Sequence, residues 1–369
     1  MKILITGSKG FVGKNLKAEL RNQGYKDLLE FHRGIAPDKL DAFTRECGFV
    51  FHLAGVNRPE DDKEFMDINF GLTGQILKFL EKHDNKSPIV FASSIQAGLD
   101  NPYGKSKKKA EELLFSYSRD TGSKVMVFRL PNIFGKWSKP DYNSVVATFC
   151  HNVSRGIDIQ VNDPETLLTL CYIDDVLREF VKAIKKEPPQ KGKYYIVPAE
   201  YKIKLGKLAG IIKGFRDTRK DLGIPDMKDG LSKKLYSTYN SYLPEDDFTY
   251  DLDMITDDRG SFTEFIRTAE KGQISVNVIK PGITKGNHWH HTKSEKFMVV
   301  YGRGLIQFRK VDGGRVISYD VDGEKFKVVD IPPGYTHNIK NIGDTDMVTV
   351  MWANEIYDPD NTDTYYMEV

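Results

Sequence analysis

The stretch ILITGSKGFVG, at residues 3–13, constrains the fold most strongly, because it places glycines between an apolar run and a helix-like pattern. Glycine permits a tight turn, and the first N–H groups of the helix that follows lack intrahelical partners. Such a strand–loop–helix unit can hold a pyrophosphate, so we predict a nucleotide site here, although an ordinary tight turn would carry the same glycines. The candidate contacts are Gly7, Lys9, Gly10, Phe11 and Val12.

The order of apolar runs indicates two kinds of architecture along the chain. Up to about residue 185, the runs KILIT, FVFHLAG, PIVFASS and VMVFRL alternate with helix-like spacing, which predicts an α/β Rossmann-type doubly wound parallel sheet. After about residue 252, short β-type runs are separated by Gly, Pro and Asp turns, which predicts an all-β sandwich or barrel. We therefore predict domains at residues 1–243 and 252–369, joined by a linker at 244–251.

Composition narrows the classes of partner and compartment. A net charge of +2 does not favour a nucleic-acid or membrane surface, and no stretch reaches the roughly 18 apolar residues of a membrane helix. The cysteines, Cys47, Cys150 and Cys171, are odd in number and scattered, without metal or redox spacing. We expect a cytoplasmic protein without a membrane span or a nucleic-acid partner.

A candidate proton-transfer set lies in FASSIQAGLDNPYGKSKKKAE. Tyr103 and Lys107 are four residues apart, which places both on one face of a helix, so the ammonium can lower the pKa of the phenol. Tyr103 could then exchange a proton with a carbonyl or alcohol, and Ser94 could hydrogen-bond the same oxygen. The spacing by itself would also suit a surface contact.

The stretch LLEFHRG, about twenty residues beyond the glycine loop, bears on the choice of cofactor. An acidic residue at the end of the second strand would bind the ribose hydroxyl of NAD, whereas Arg33 suits the 2′-phosphate of NADP. We therefore predict NADPH, with His32 and Arg33 as contacts. Arg33 as a solvated loop cation is the alternative.

Together these features resemble the extended short-chain dehydrogenase/reductase family over about residues 1–243. The motifs occur in the family's order: TGSKGFVG, FHLAG with Leu53, Ala54 and Gly55, INFGLTG with Asn69, the set Ser94, Tyr103 and Lys107, RLPNIFG with Asn132, and CYIDDV. The resemblance implies hydride transfer between a nicotinamide and a sugar carbon, usually in a nucleotide-linked sugar, with Tyr103 as acid/base.

Two departures from that family refine the prediction. Members that dehydrate sugars carry an Asp-Glu pair after the catalytic hydroxyl, whereas Ile95 and Gln96 follow Ser94 here, so dehydration is not expected. Members with RDF before the YVDDV-like segment use that Arg on the nucleotide diphosphate, and this chain has Leu168. The candidates for a replacement cation are Lys136, Lys139 and Arg155.

A second cluster of ligand-type residues lies near the end of the chain. His288 and His290 are two apart, so they share one face of an extended strand, and a following turn can bring Glu295 beside them. His337, in PPGYTHNIKN, completes a mixed nitrogen and oxygen set that suits a divalent transition ion. We predict Zn²⁺, although Fe, Mn or Ni would accept the same ligands. Surface or core histidines without a metal are the alternative.

The same spacing resembles the cupin family, over about residues 252–369. Its first motif, G-x5-HxH-x4-E-x6-G, begins here at Gly282 and ends at Gly302, and its second, P-x-G-x2-H-x3-N, runs from Pro332 to Asn341. The glycine expected six residues before Pro332 is missing. The resemblance implies a jelly-roll with His288, His290, Glu295 and His337 as metal ligands.

DDRGSFTEF further resembles the start of cupin sugar 3,5-epimerases, which usually work without a metal, so the metal could be catalytic or structural. The combination of domains resembles the bifunctional capsular polysaccharide synthesis enzymes of the UDP-N-acetyl-L-fucosamine pathway. This implies epimerisation at C3 of a UDP-4-keto-6-deoxy-N-acetylhexosamine, then reduction at C4 with NADPH to UDP-N-acetyl-6-deoxy-L-talosamine. We expect a homodimer. A reductase with a structural cupin module, and a sugar-sensing binding protein, are the competing hypotheses.

Overall fold

The structure, a computed structural model, describes residues 1–59, 61–268, 270–360 and 362–369. The chain divides into two compact units. The first unit is Met1–Gly214 with Lys228–Glu245, and the second unit is Phe215–Met227 with Asp246–Val369. The boundaries drawn from the sequence remain a prediction. They assign Phe215–Met227 to the first domain, whereas this segment groups with the second unit, in which the Arg267 N–H donates to Leu222 O at 2.7 Å.

The first unit alternates strands and helices. Its strands are β1 (Ile3–Thr6), β2 (Leu28–Phe31), β3 (Phe49–His52), β4 (Ile89–Ser94), β5 (Val125–Leu130), β6 (Asn132–Phe134), β7 (Leu167–Tyr172), β8 (Gln190–Lys191), β9 (Tyr194–Tyr195) and β10 (Tyr201–Lys204). The helices are α1 (Phe11–Asn22), α2 (Pro37–Glu46), α3 (Leu72–Lys82), α4 (Pro102–Thr121), α5 (Val145–Ser154), α6 (Ile173–Lys182), α7 (Leu205–Asp217) and α8 (Gly230–Asn240). A π-helical segment, Phe65–Gly71, precedes α3, and a short 3-10 turn, Ile95–Gly98, follows β4.

The main sheet has the order β2-β1-β3-β4-β5-β9-β8, and its pairs from β2 through β9 are parallel. Strands β10, β7 and β6 form a small second sheet. Residues alternate between the faces: Ile3 and Ile5 pack against Leu16 of α1 on one side, and Leu4 packs with Ile76 of α3 on the other. Both faces are therefore covered, and the predicted Rossmann-type parallel sheet is confirmed.

The direction of the strand order reverses between β1 and β3. At such a switch point, the loops after the two strands diverge to opposite faces and leave a crevice at the carboxyl edge of the sheet. The glycine loop follows β1, and residues 53–56 follow β3. The fold therefore brings these two loops together.

The second unit is built from antiparallel strands. They are β11 (Met254–Asp257), β12 (Gly260–Thr268), β13 (Gly272–Ile279), β14 (Thr284–Trp289), β15 (Glu295–Tyr301), β16 (Arg303–Lys310), β17 (Ile317–Asp322), β18 (Val328–Ile331), β19 (Tyr335–Asn341), β20 (Met347–Ala353) and β21 (Tyr365–Tyr366). Their two sheets have the orders β11-β12-β13-β20-β15-β18 and β17-β16-β19-β14-β21.

Inward-facing side chains of both sheets, among them Phe297, Ile306, Phe308 and Ile339, form one buried core. The predicted antiparallel all-β domain is thereby confirmed. Throughout the described ranges, no helix combines the length and the apolar character needed to cross a bilayer.

Candidate active sites

The glycine loop is shaped by close backbone contacts. Gly7 has φ +70°, and a Cβ there would lie 2.8 Å from the Ala54 nitrogen, while a Cβ on Gly13 would lie 2.3 Å from Gly7 O. Gly7 is therefore required for the loop to pack against Leu53 and Ala54, and Gly13 is required for the first turn of α1 to pack against the loop. Gly10 is the N-cap of α1, and Lys9 is exposed while Phe11 and Val12 are half-buried.

This loop fits a nucleotide. The Ser8 hydroxyl is fully buried, yet it has no hydrogen-bond partner among the described residues. The N-cap position of α1 has no side-chain hydrogen bond within the same ranges, so the first N–H groups of the helix stay available. A phosphate oxygen at the start of α1 would satisfy such donors. The loop at Gly7 and Gly10 therefore has the shape and the free donors that a phosphate requires, and the nucleotide contacts of all the loop residues remain a prediction.

A buried polar network joins the ends of β1 and β3. Leu53 N and Ala54 N donate to Thr6 Oγ1, each at 3.2 Å. His52, 1% exposed, lies 2.7 Å from Thr6 Oγ1 through Nδ1 and 2.8 Å from Thr73 Oγ1 through Nε2. Because Thr73 donates to Asn69 O, it accepts from His52 Nε2–H, and Thr6 must then donate to His52 Nδ1. Burial lowers the pKa of His52 to about 3, so the imidazole is neutral.

Asn69 connects this network to the helix that bears Tyr103. Its amide donates to Val56 O and to Ser106 Oγ at 3.0 Å, and its carbonyl accepts from Val56 N at 2.9 Å. A Cβ on Gly55 would lie 2.9 Å from the Asn69 amide oxygen and 3.0 Å from Lys107 Nζ. The loop at Gly55 therefore has no room for a side chain beside Lys107. The sequence indicated Asn69 as a contact but did not indicate its partner Ser106.

Ser94, Tyr103 and Lys107 come from the end of β4 and the first turns of α4. The Asn101 side chain caps α4 by accepting from Gly104 N at 2.7 Å, which sets where the helix begins. The Ser94 hydroxyl is close enough to Tyr103 to lower the pKa of its phenol, and Lys107 Nζ donates to Ala92 O at 3.0 Å. The structure therefore brings the three predicted residues together.

The electrostatics of this set differ from the expectation. Burial raises the pKa of Tyr103, and the nearby Ser94 hydroxyl opposes this, whereas the spacing in the sequence predicted that Lys107 would lower it. The reason is that Lys107 is itself buried, 4% exposed, with its ammonium directed at the Ala92 carbonyl. Burial lowers the pKa of Lys107 to about 8, although Glu111 partly offsets this. The protein alone therefore keeps Tyr103 as a neutral phenol.

Glu111, one turn beyond Lys107, anchors α4 to the sheet. Arg129 binds its carboxylate with two nitrogens, at 2.9 and 2.6 Å, while Ser93 and Tyr194 donate to the same carboxylate. The Glu111 side chain is 2% exposed, so its charge is fully paired inside the protein. This cluster fixes Ser93, the neighbour of Ser94. Its members are far apart in the sequence, and sequence reasoning missed it.

The predicted cofactor-selecting residues follow β2. Arg33 is exposed, with its guanidinium 3.8 Å from the Glu64 carboxylate, and the His32 ring contacts Arg33 O at 2.7 Å. Glu30, within β2, is paired with Lys17 of α1 at 2.6 Å. An exposed cation at the carboxyl edge is compatible with a 2′-phosphate, and the choice of NADPH remains a prediction.

The three cations predicted to bind the nucleotide diphosphate differ in whether they already bind protein groups. Lys136 pairs with Asp174 at 2.9 Å, and Arg155 donates to Tyr242 O at 2.8 Å, so both already bind protein groups. Lys139 lies over the Tyr142 ring at 5.6 Å. Of these three candidates, Lys139 is thus the one whose ammonium contacts only an aromatic ring among the described residues.

The histidine and glutamate set converges in the second unit. Ligand atoms of His288, His290, Glu295 and His337 all lie within 4.8 Å of one another. Strand β14 pairs with β19 so that His288 lies opposite His337, and Glu295 begins β15. A bulge between Gly286 and His288, with Asn287 at φ 58°, turns the end of β14 inward.

The polar atoms of this cluster fit a cation. His290 Nε2, Glu295 Oε2 and both ring nitrogens of His337 are buried, and they have no hydrogen-bond partner in the part of the chain that the structure describes. The two histidines approach the carboxylate at 3.3 and 3.4 Å without hydrogen-bond alignment. Buried polar groups are rarely left in this state, and a shared divalent ion would satisfy all of them.

The charge state of the cluster also fits a cation. Burial, reinforced by His337, lowers the pKa of His288 to about 4, so this imidazole is neutral near pH 7. Burial alone would raise the pKa of Glu295, but its histidine neighbours outweigh this and the pKa is lowered. Neutral imidazole and ionised carboxylate are the forms that bind a metal. The donor set suits a divalent transition ion, and the choice of Zn²⁺ over Fe, Mn or Ni remains a prediction.

Comparison with known proteins assigns both units. Residues 3–197 match the model of the NAD dependent epimerase/dehydratase family, and residues 255–365 match the polysaccharide biosynthesis C-terminal domain. The chain belongs to the NAD dependent epimerase/dehydratase family, so its cofactor is a nicotinamide nucleotide.

Two proteins are similar to the chain over its whole length. The UDP-2-acetamido-2,6-beta-L-arabino-hexul-4-ose reductase of Pseudomonas aeruginosa is 45% identical over 369 residues, covering 100% of this chain and 99% of that protein. The crystal structure of the capsular polysaccharide assembling protein CapF from Staphylococcus aureus is 51% identical with a TM-score of 0.96, and the match covers 100% of both chains. The predicted resemblance to two-domain capsule enzymes is confirmed.

Proposed function

We propose that the protein is a two-site enzyme that acts on a UDP-linked 4-keto sugar in capsular polysaccharide synthesis. Two relatives that match the whole chain support the general activity, a nicotinamide-dependent reductase or epimerase of UDP-sugars. We further assign C4 reduction to the first unit and C3 epimerisation to the second. The observation that carries it is the presence, in one chain, of a tyrosine-lysine site and a buried four-residue ligand cluster.

In the first unit, the chain's own groups would bind and protonate the ketone. NADPH supplies the hydride when it is bound. Ser94 and Tyr103 would hydrogen-bond the C4 oxygen, and Tyr103, held as a neutral phenol by its raised pKa, would give that oxygen its proton. Lys107 would hold the nicotinamide end of the cofactor in place. Arg33 would contact the 2′-phosphate.

In the second unit, which we propose is a cupin jelly-roll, His288, His290, Glu295 and His337 would hold a divalent ion, Zn²⁺ in our proposal. Such an ion supplies Lewis-acid polarisation of a carbonyl oxygen. The cluster lies next to Phe297 and Phe308, which line the interior between the sheets. These rings would exclude water from a sugar bound there.

The chemistry sets the order of the two steps. The hydrogen at C3 is acidic only while the neighbouring C4 is a ketone, so epimerisation must precede reduction. The product would then be UDP-N-acetyl-6-deoxy-L-talosamine, made from the kind of 4-ulose that the Pseudomonas relative's name describes. The N-terminal unit would therefore act second.

One observation favours a second candidate function. Structural zinc sites usually have four protein ligands, whereas catalytic sites keep one position open. The cluster offers four residues, the number of protein ligands found in structural zinc sites. The alternative is therefore a 4-keto-sugar reductase whose second unit is a metal-stabilised module for dimerisation.

Deuterium exchange at C3 of the keto-sugar, in D2O without NADPH and followed by NMR, separates the two candidates. The two-site enzyme exchanges this hydrogen, and the simple reductase does not. Tyr103→Phe should abolish NADPH oxidation and leave exchange intact, with Tyr117→Phe on the same helix as control. His290→Ala should abolish exchange and leave reduction of an epimerised substrate intact, with the exposed His291→Ala as control. Loss of both activities in each variant would contradict the division of labour.

A further inference from the structure

The end of the chain lies against the proposed metal cluster. We call residues 363–369 the C-terminal strap. Within it, β21 pairs with β14, so that Tyr366 lies opposite His288 and Tyr365 opposite Trp289. The rings of Tyr365 and Trp289 are 5.0 Å apart. The strap thus pairs with the strand that carries His288 and that ends one residue before His290.

The strap makes a direct contact to one ligand. His290 Nδ1 hydrogen-bonds to the backbone carbonyl of Asp363. A carbonyl only accepts, so Nδ1 carries the proton, and in the neutral ring Nε2 then has a free lone pair. Nε2 is the atom that faces Glu295, at 3.3 Å. The strap therefore selects the tautomer that can bind a metal through Nε2.

The Asp363 side chain fixes the turn between two ligands. Its carboxylate accepts from the backbone nitrogens of His291, Thr292 and Lys293, at 2.8, 2.7 and 2.8 Å. It also accepts from Thr292 Oγ1 at 3.0 Å. This turn connects His290 to Glu295, so one carboxylate sets the distance and direction between the two ligands. Hydrogen bonds to an ionised acceptor are roughly twice as strong as neutral ones.

The rest of the strap reaches the strands of the other two histidines. Met367 N donates to Asn287 O at 3.0 Å, next to His288. Thr336 Oγ1, next to His337, donates to Met367 O. The strap therefore contacts both chain segments that carry the histidines of the cluster, the segment with His288 and His290 and the segment with His337.

We propose that the C-terminal strap is an integral part of the metal site, and that Asp363 is a positioning residue for His290 and Glu295. This inference rests on the proposed metal site. It assigns a role to residues that follow the last ligand by more than twenty positions and carry no ligand themselves. Removal of such outer partners typically costs 10–100-fold in metal affinity.

The test uses the full-length protein loaded with Zn²⁺ and measures the Kd by competition with a chromophoric chelator. Asp363→Ala should weaken Zn²⁺ binding by roughly 10–100-fold, and Asp363→Asn, which keeps one acceptor oxygen, by less. Glu368→Gln is the matched control, because this strap carboxylate bonds to Tyr366 rather than to the turn, and it should leave the Kd unchanged. The visible spectrum of the Co²⁺-substituted protein should also change in Asp363→Ala, since a purely structural role would leave ligand geometry unaltered.

The outcomes are separable. If the unaltered protein binds no Zn²⁺, the proposed metal site fails, and the strap inference fails with it. If it binds Zn²⁺ and Asp363→Ala has the same Kd and Co²⁺ spectrum, only the strap inference is overturned. If Asp363→Ala does not fold, as judged by circular dichroism, the milder Asp363→Asn decides: an unchanged Kd overturns the inference, and a weakened one with intact NADPH binding supports it.

Discussion

Lys107 gives the sharpest prediction, because its burial sets an alkaline limit on reductase activity. The pKa of its ammonium is lowered by burial to about 8, so it loses its proton as the pH rises through about 8. The pKa of Tyr103 is raised, so the phenol stays protonated over this range and does not cause the limit. The charged fraction of Lys107 falls from about nine-tenths at pH 7 to about one-tenth at pH 9. If the ammonium is required, kcat/KM for NADPH falls about tenfold between these two values.

The assay is NADPH oxidation by a 4-keto sugar, followed by absorbance from pH 6 to 10. The parameter kcat/KM reports groups of the free enzyme, which is the state in which Lys107 is buried here. Lys107→Met should have low activity without the alkaline limb, whereas Lys109→Met, at an exposed position of the same helix, should keep both rate and limb. The reasoning is refuted if the unaltered enzyme is flat through pH 9.5, or if the limb keeps its midpoint in Lys107→Met.

Three further predictions concern stability. Gly13→Ala places a Cβ 2.3 Å from a backbone oxygen, so it should lower the free energy of unfolding by about 1–3 kcal/mol and weaken NADPH binding. Gly210→Ala, within α7 and without a described atom within 4 Å, should raise the free energy of unfolding by about 0.5–1 kcal/mol. Urea unfolding and NADPH titration check both variants. The folded state lowers the pKa of His52 to about 3, so its full contribution to stability is present above about pH 6.5. As the pH falls from about 6.5 towards 3, the free energy of unfolding should drop by about 1.4 kcal/mol per pH unit. His52→Gln should remove this slope from the pH dependence of urea unfolding. Asn341→Ala removes three backbone hydrogen bonds of a buried amide and should destabilise the second unit by about 2–4 kcal/mol in the same assay, and a change below 0.5 kcal/mol would contradict this.

Features written in short, regular spacings could be predicted from the sequence. The strand and helix order followed from periodicity, and the glycine loop followed from its place between β1 and α1. The four-residue spacing of Tyr103 and Lys107 put both on α4. The alternation in HWH and the turn to Glu295 predicted that the ligands converge, and the pairing of His288 with His337 brings them together.

Features that depend on distant partners could not be predicted. His52 is held by Thr6, 46 residues away, and by Thr73, 21 residues away, and nothing local in FHLAG indicates such a chain of hydrogen bonds. The predicted lowering of the Tyr103 pKa by Lys107 was wrong because the spacing that brings the two residues together does not reveal how deeply both are buried. The π-helical segment at Phe65–Gly71 has the apolar spacing of an ordinary helix, so periodicity does not distinguish it from α3.

The path of the chain between the two units has a consequence for its biosynthesis. Phe215–Met227 belongs with the second unit although residues on both sides of it belong with the first. During translation this segment leaves the ribosome before β12, the strand to which Leu222 bonds through Arg267. This segment can therefore bond to β12 only after that strand has been synthesised. Cleavage of the chain near residue 243 would separate Phe215–Met227 from the strand that it bonds to. We therefore expect that the two halves cannot be produced as separate soluble fragments.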